Sequence, residues 1–111
     1  EMIIASDINE NKLVWAEKFG ADIVTKDSSE IAEILEEKTG RKADIVILTT
    51  GHPEAVLAGF SAADDGATIL LFAPSDPETI VPIDISRHFF KRDITVASTY
   101  SGSPNDHREA L

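Results

Sequence analysis

The stretch Met2-Ile-Ile-Ala-Ser-Asp-Ile-Asn-Glu-Asn-Lys12 decides how this chain is read. Met2 to Ala5 are apolar or small without alternation, which suits a strand covered on both faces. A polar run follows at once. It opens a pattern in which Leu13, Val14, Ala16 and Phe19 recur at helical spacing, with Glu10, Lys12, Glu17 and Lys18 between them. The stretch is a strand-to-helix corner, and it delivers one carboxylate, Asp7, to the carboxyl end of the strand. In open α/β sheets ligands bind outside that end.

The first helix is predicted over Asn9 to Phe19, with Asp7 and Glu10 at capping-box spacing and Gly20 as its stop. Ala21 to Thr25 then reads as a short strand. Ser28 or Ser29 caps a second helix through Ile31, Ile34, Leu35 and Lys38, stopped at Gly40. Ile45 to Leu48 is the most continuous β-branched run and the best candidate for a central parallel strand. Thr49-Thr50-Gly51 ends it. Pro53 fits the first turn of a third helix carried by Val56, Leu57, Phe60 and Ala63, and Asp65-Gly66 makes the turn into a strand from Thr68 to Phe72.

No regular element is predicted between Pro74 and Pro82. Ile85 to Lys91 reads as a short helix or turn, and Ile94 to Tyr100 as a last strand. Ser103 as cap and Pro104 at the first position start a helix that is cut off at Leu111. This alternation predicts an α/β fold with a doubly wound parallel sheet.

At 111 residues the expectation is one domain with a modest core. The net charge of −10 speaks against nucleic acid or an anionic membrane as a partner, since either needs a cationic face. With no cysteine there is no disulfide framework, cysteine-bound zinc or thiol nucleophile. His52, His88 and His107 lie far apart in sequence, so no metal site is expected from them. No apolar run approaches spanning length and nothing resembles a signal peptide, which makes a cytoplasmic protein the default.

Several segments in order resemble the coenzyme-binding domain of the zinc-type medium-chain dehydrogenases, the family of alcohol, sorbitol and threonine dehydrogenases. They are Ser6 to Leu13, Ala16 to Asp22, Ala43 to Gly51, Asp65 to Pro74 and Lys91 to Tyr100. The resemblance implies a Rossmann-type sheet and NAD as cofactor. Asp7 matches the acid that binds the adenosine ribose, and Lys12 the basic residue five positions on that also reaches it. A carboxylate there accepts from both ribose hydroxyls and repels the 2′-phosphate of NADP. Thr50 and Gly51 match the turn passing the adenosine side, where a β-carbon would crowd the ligand. Leu71, Ala73 and Tyr100 match positions whose backbone groups hold the nicotinamide carboxamide, with Phe72 and Pro74 shaping the loop. Read without the family, Asp7 is equally an N-cap, Lys12 a solvated lysine, Gly51 a plain turn and Leu71 core.

The resemblance further implies a parent that oxidises an alcohol or polyol, with zinc held in a separate catalytic domain outside this chain. It implies a first strand, glycine-rich turn and first helix ahead of Glu1, so the chain is expected to be a domain truncated at both ends and inactive alone. In the strand order 3-2-1-4-5-6 that first strand lies between Met2 to Ala5 and Ile45 to Leu48. The Ile94 to Tyr100 edge is expected to pair with its twin in a homodimer or dimer-based tetramer. A non-catalytic nucleotide-sensing domain of the same fold is the rival reading. A phosphoacceptor module fits less well, because Asp44 begins its strand rather than ending it.

Overall fold

The computed structural model describes residues 1–110. Five parallel-paired strands alternate with helices: β1 (Ile4–Ser6), α1 (Glu10–Lys18), β2 (Ile23–Thr25), α2 (Ile31–Thr39), β3 (Ala43–Leu48), α3 (Pro53–Ala62), β4 (Ala63–Leu71), α4 (Ile85–His88), β5 (Thr95–Ser98) and α5 (Pro104–Glu109). The strands form two sheets, β1-β2 and β3-β4-β5, with every pairing parallel. Among the described residues no strand bonds β1 to β3. The two sheets are the pieces expected on either side of one central strand in the predicted order. α2 and the 3-10 turn Ser28–Glu30 before it pack on α3 and hold the halves together.

Local chemistry accounts for most boundaries. Asn9, not Asp7, caps α1: its side-chain oxygen accepts the Asn11 N–H at 2.9 Å, and Glu10 turns away to pair with Lys26. Asp27, rather than Ser28 or Ser29, caps the turn ahead of α2 by accepting the Ser29 N–H at 2.9 Å. The observed cap lies two residues after the predicted one at α1 and one before it at the second helix, and in both places it reaches the free N–H groups of the first turn better than the predicted residue does. Gly40 ends α2 at φ +74° and Pro53 opens α3, both as predicted. At α5 Ser103 and Asp106 cap each other reciprocally. That helix stops at Glu109 with Ala110 as its cap, and Leu111 lies outside the described residues.

Three strands depart from expectation. β4 begins at Ala63, so Asp65-Gly66 is not a turn before the strand but a bulge inside it, with Gly66 at φ +77°. β3 is not central among the described residues. It pairs with β4 alone, and Ile45 and Ile47 are 67% and 58% exposed on the face away from α3. β1 likewise is half-buried rather than covered on both faces, because β2 is its one strand partner and α1 covers it on one side.

The core lies between α3 and the three-stranded sheet. Leu48, Val56, Phe60, Ala63, Ala67, Ile69 and Ile94 form one buried cluster, with Phe60 and Ile69 almost fully enclosed. Phe89 packs edge-on against Phe60 at 5.7 Å between ring centres. A β-carbon on Gly59 would come within 2.8 Å of the Leu48 side chain, so that glycine sets how closely α3 lies on β3. This packing anchors the carboxyl ends of β3 and β4.

Candidate cofactor edge

Asp7 follows β1 directly. Its N–H donates to the Thr25 carbonyl at 3.3 Å, so the ladder with β2 fixes its backbone. Its carboxylate is held on both sides: Oδ1 accepts the Asn9 N–H at 2.9 Å, and Lys12 Nζ lies 3.2 Å from Oδ2. The Asn9 N–H bond holds the carboxyl below the usual Asp value and Lys12 adds to this, while partial burial opposes it. Asp7 is therefore an ionised, oriented acceptor whose side chain remains 28% exposed. Each carboxylate oxygen keeps a lone pair for a further donor, which is what a pair of adjacent ribose hydroxyls requires. The structure thus brings together Asp7 and Lys12, the two residues that the resemblance placed at one ribose, and their free acceptor and donor atoms fit a ribose.

The second group of predicted residues sits at the carboxyl ends of β3 and β4. Thr50 Oγ1 accepts the His52 N–H at 3.3 Å and stiffens the turn into α3. Gly51 has a protein reason to be glycine. A β-carbon there would lie 2.3 Å from Ser75 Cα, and Ser75 Oγ donates to the Gly51 carbonyl at 2.9 Å. The loop after β4 crosses directly over this turn, and no ligand is needed to account for the residue.

Leu71 ends β4, half-buried against the core and paired with Leu48 and Ser98. The N–H groups of Phe72 and Ala73 both donate to the Leu48 carbonyl, at 3.0 and 3.2 Å. The loop is thereby tied to β3, and the Ala73 N–H is already engaged. Phe72 is 59% and Tyr100 98% exposed, and Pro74 is exposed as well. These side chains leave an open rim.

Asn9, Leu48 and Ser75 were not singled out from the sequence. An asparagine two residues after an acid at a helix start is a readable capping signal. Ser75 meets Gly51 across 24 residues, and no local pattern announces such a contact. His52, His88 and His107 fall on α3's cap, α4 and α5, and among the described residues no group of three His, Asp or Glu is placed to hold a metal. No described helix is long and apolar enough to cross a membrane.

A family model described as zinc-binding dehydrogenase matches residues 2–111. L-threonine 3-dehydrogenase of Symbiobacterium thermophilum is 38% identical over 80 residues, 69% of this chain and 23% of that protein. The solved alcohol dehydrogenase of Thermotoga maritima superposes with a TM-score of 0.87 and 22% identity over 98% of this chain and 31% of its own. A Sinorhizobium meliloti chain bound to NADP does so at 0.83 and 22%, covering 98% and 33%, and an Escherichia coli short chain alcohol dehydrogenase complexed with NADH at 0.80 and 19%, covering 97% and 31%. This chain spans 23% of that curated relative's length and 31–33% of these solved chains. The solved likenesses carry the fold, and the family match over nearly every residue carries the rest: the chain belongs to the zinc-binding dehydrogenase family, with the sheets of its Rossmann-type domain.

Proposed function

We propose that this chain is part of the NAD-binding domain of a medium-chain, zinc-type dehydrogenase, a cytoplasmic enzyme that oxidises an alcohol or polyol by hydride transfer to NAD. The observation that carries this reading is the Asp7 carboxylate, ionised and aimed by Asn9 and Lys12 at the carboxyl end of β1. In this role Asp7 accepts from the two adenosine ribose hydroxyls and Lys12 donates beside it. Thr50 and Gly51 border the adenosine side, and Leu71 to Pro74 with Tyr100 form the rim for the nicotinamide. The bound nicotinamide supplies the hydride acceptor. The chain's own contribution is orientation and the exclusion of a 2′-phosphate.

Related chains of this fold hold NADH or NADP, so the choice rests on the local charge rather than on the fold. The described residues do not gather a zinc ligand set, and in this reading zinc and the substrate pocket belong to the rest of the parent. The partner proposed for the far edge is a second copy. β5 bonds to β4 alone among the described residues, and all four of its residues are exposed. Its twin would pair there across a two-fold axis.

Asp7→Ser in the parent tests the reading. Loss of two charge-assisted hydrogen bonds should lower kcat/KM for NAD by about 1.5–3 kcal/mol, roughly ten- to a hundredfold, while NADP use rises relative to it. An unchanged NAD/NADP ratio removes Asp7 from the role. For the edge, Val96→Lys would set like charges against each other across the axis and should give monomers on sizing. A variant that stays dimeric places the interface elsewhere.

A further inference from the structure

Arg92 ties together the amino ends of β4 and β5, at the opposite end of the strands from the proposed cofactor edge. Its Nε donates to Asp65 Oδ1 at 2.9 Å, Nη1 to the Phe60 carbonyl at 3.4 Å and Nη2 to the Ala63 carbonyl at 2.5 Å. Its own carbonyl accepts the Gly66 N–H at 2.6 Å, and its N–H donates to the Phe89 carbonyl at 3.1 Å. One residue thus joins the end of α3, the start of β4, the segment after α4 and the approach to β5. Its side chain is 20% exposed, while Lys91 and Asp93 on either side stand at φ 80° and 50°. Left-handed backbone at two non-glycine residues persists only where the surroundings over-determine it.

What this clamp holds is the bulge. Between the rungs Ala43–Ala63 and Ile45–Thr68, two steps along β3 face five along β4. Beyond it the rungs Thr68 to Leu71 run without interruption against both β3 and β5. The length of chain taken up in the bulge therefore decides how far β4 reaches past β3. Burial of Ala67 and Ile69 fixes which face each residue takes, but a shift of two residues would preserve the faces. The depth of β4 is left to the polar clamp.

We infer that Arg92 is a positioning residue for the nicotinamide half of the site, setting the height of the Leu71 to Pro74 loop and of Tyr100 through the strands that carry them. This rests on the cofactor reading above. Arg92 touches no ligand itself. β1, β2 and α1, around which Asp7 and Lys12 are placed, share no hydrogen bond with it, so the adenosine half should be indifferent to its loss.

The test is calorimetric binding of NAD and of ADP-ribose to the full parent protein and to Arg92→Met. NAD should weaken about tenfold, as sub-ångström misplacement of a binding loop does, with ADP-ribose within about twofold of the parent. Arg92→Lys keeps the charge opposite Asp65 but loses the fork to two carbonyls and should fall between. Asp65→Asn, a milder change for the case that Arg92→Met does not fold, should show the same split at about threefold. Equal weakening of both ligands, or of neither, in the folded variants overturns the inference. A parent that binds neither NAD nor ADP-ribose overturns the cofactor reading as well.

Discussion

The half built on β3, β4 and β5 owns a core, whereas the half built on β1 and β2 has almost none. Around α3 seven residues are buried in one cluster; in β1, α1 and β2 together the sole buried side chain is Leu13. The proposed binding chemistry divides the same way. On the thin side it depends on side chains, with a carboxylate oriented by an N–H and an ammonium group. On the thick side it depends on backbone, with a loop pinned to Leu48 and laid over Gly51. A charged side chain can be aimed by two local contacts, but backbone groups can be aimed only by holding the whole segment, which takes a packed core beneath it.

The strongest challenge to that comparison is a cavity. Phe60→Ala should destabilise the three-stranded half by about 3–5 kcal/mol, since the ring is 1% exposed and contacts Phe89 and His88. Leu13→Ala should cost clearly less, because its surroundings are open enough to relax. Equal losses in denaturant unfolding would mean that the two halves are not differently packed.

Gly51→Ala is expected to cost about 1–3 kcal/mol, since Ser75 must move away from the added methyl group. Its signature should be a nicotinamide-side defect, because the displaced loop is the one after β4. A variant as stable as the parent would show that the Ser75 crossing is not tight in solution.

The smallest effect concerns pH. Asp7 has its carboxyl lowered in the folded state, so its contribution is fully present above the unfolded value near 3.9 and is lost only as pH falls through the lower folded one. The NAD affinity of the parent should therefore stay flat down to about pH 5, NAD having no 2′-phosphate to titrate in that range. Titration of NAD affinity between about pH 6 and 8 would point to a group other than Asp7.

Much of this was legible. The strand–helix rhythm, the stops at Gly20 and Gly40, Pro53 at the start of α3 and the reciprocal cap at Ser103 follow from local rules that operate over three or four residues. The placing of Asp7 and Lys12 at one site came from the family resemblance alone, and the ion pair between them appears only in the structure. The capping errors at Asn9 and Asp27 arose among neighbouring polar residues that compete for the same N–H groups, where one or two positions make the difference.

By itself, then, the sequence determined the order and kind of the elements and the acid at the end of β1, because helix and strand periodicity and end signals are local. Tertiary structure alone decided that Asp65-Gly66 is a bulge inside β4 and that Gly51 is glycine on account of Ser75. Each of those depends on which distant backbone arrives opposite: Arg92 at the bulge is 27 residues from Asp65, and Ser75 is 24 from Gly51. Contacts across such separations are chosen by the packing of the whole sheet on α3, and the residues on either side of them carry no pattern from which the partner could be read.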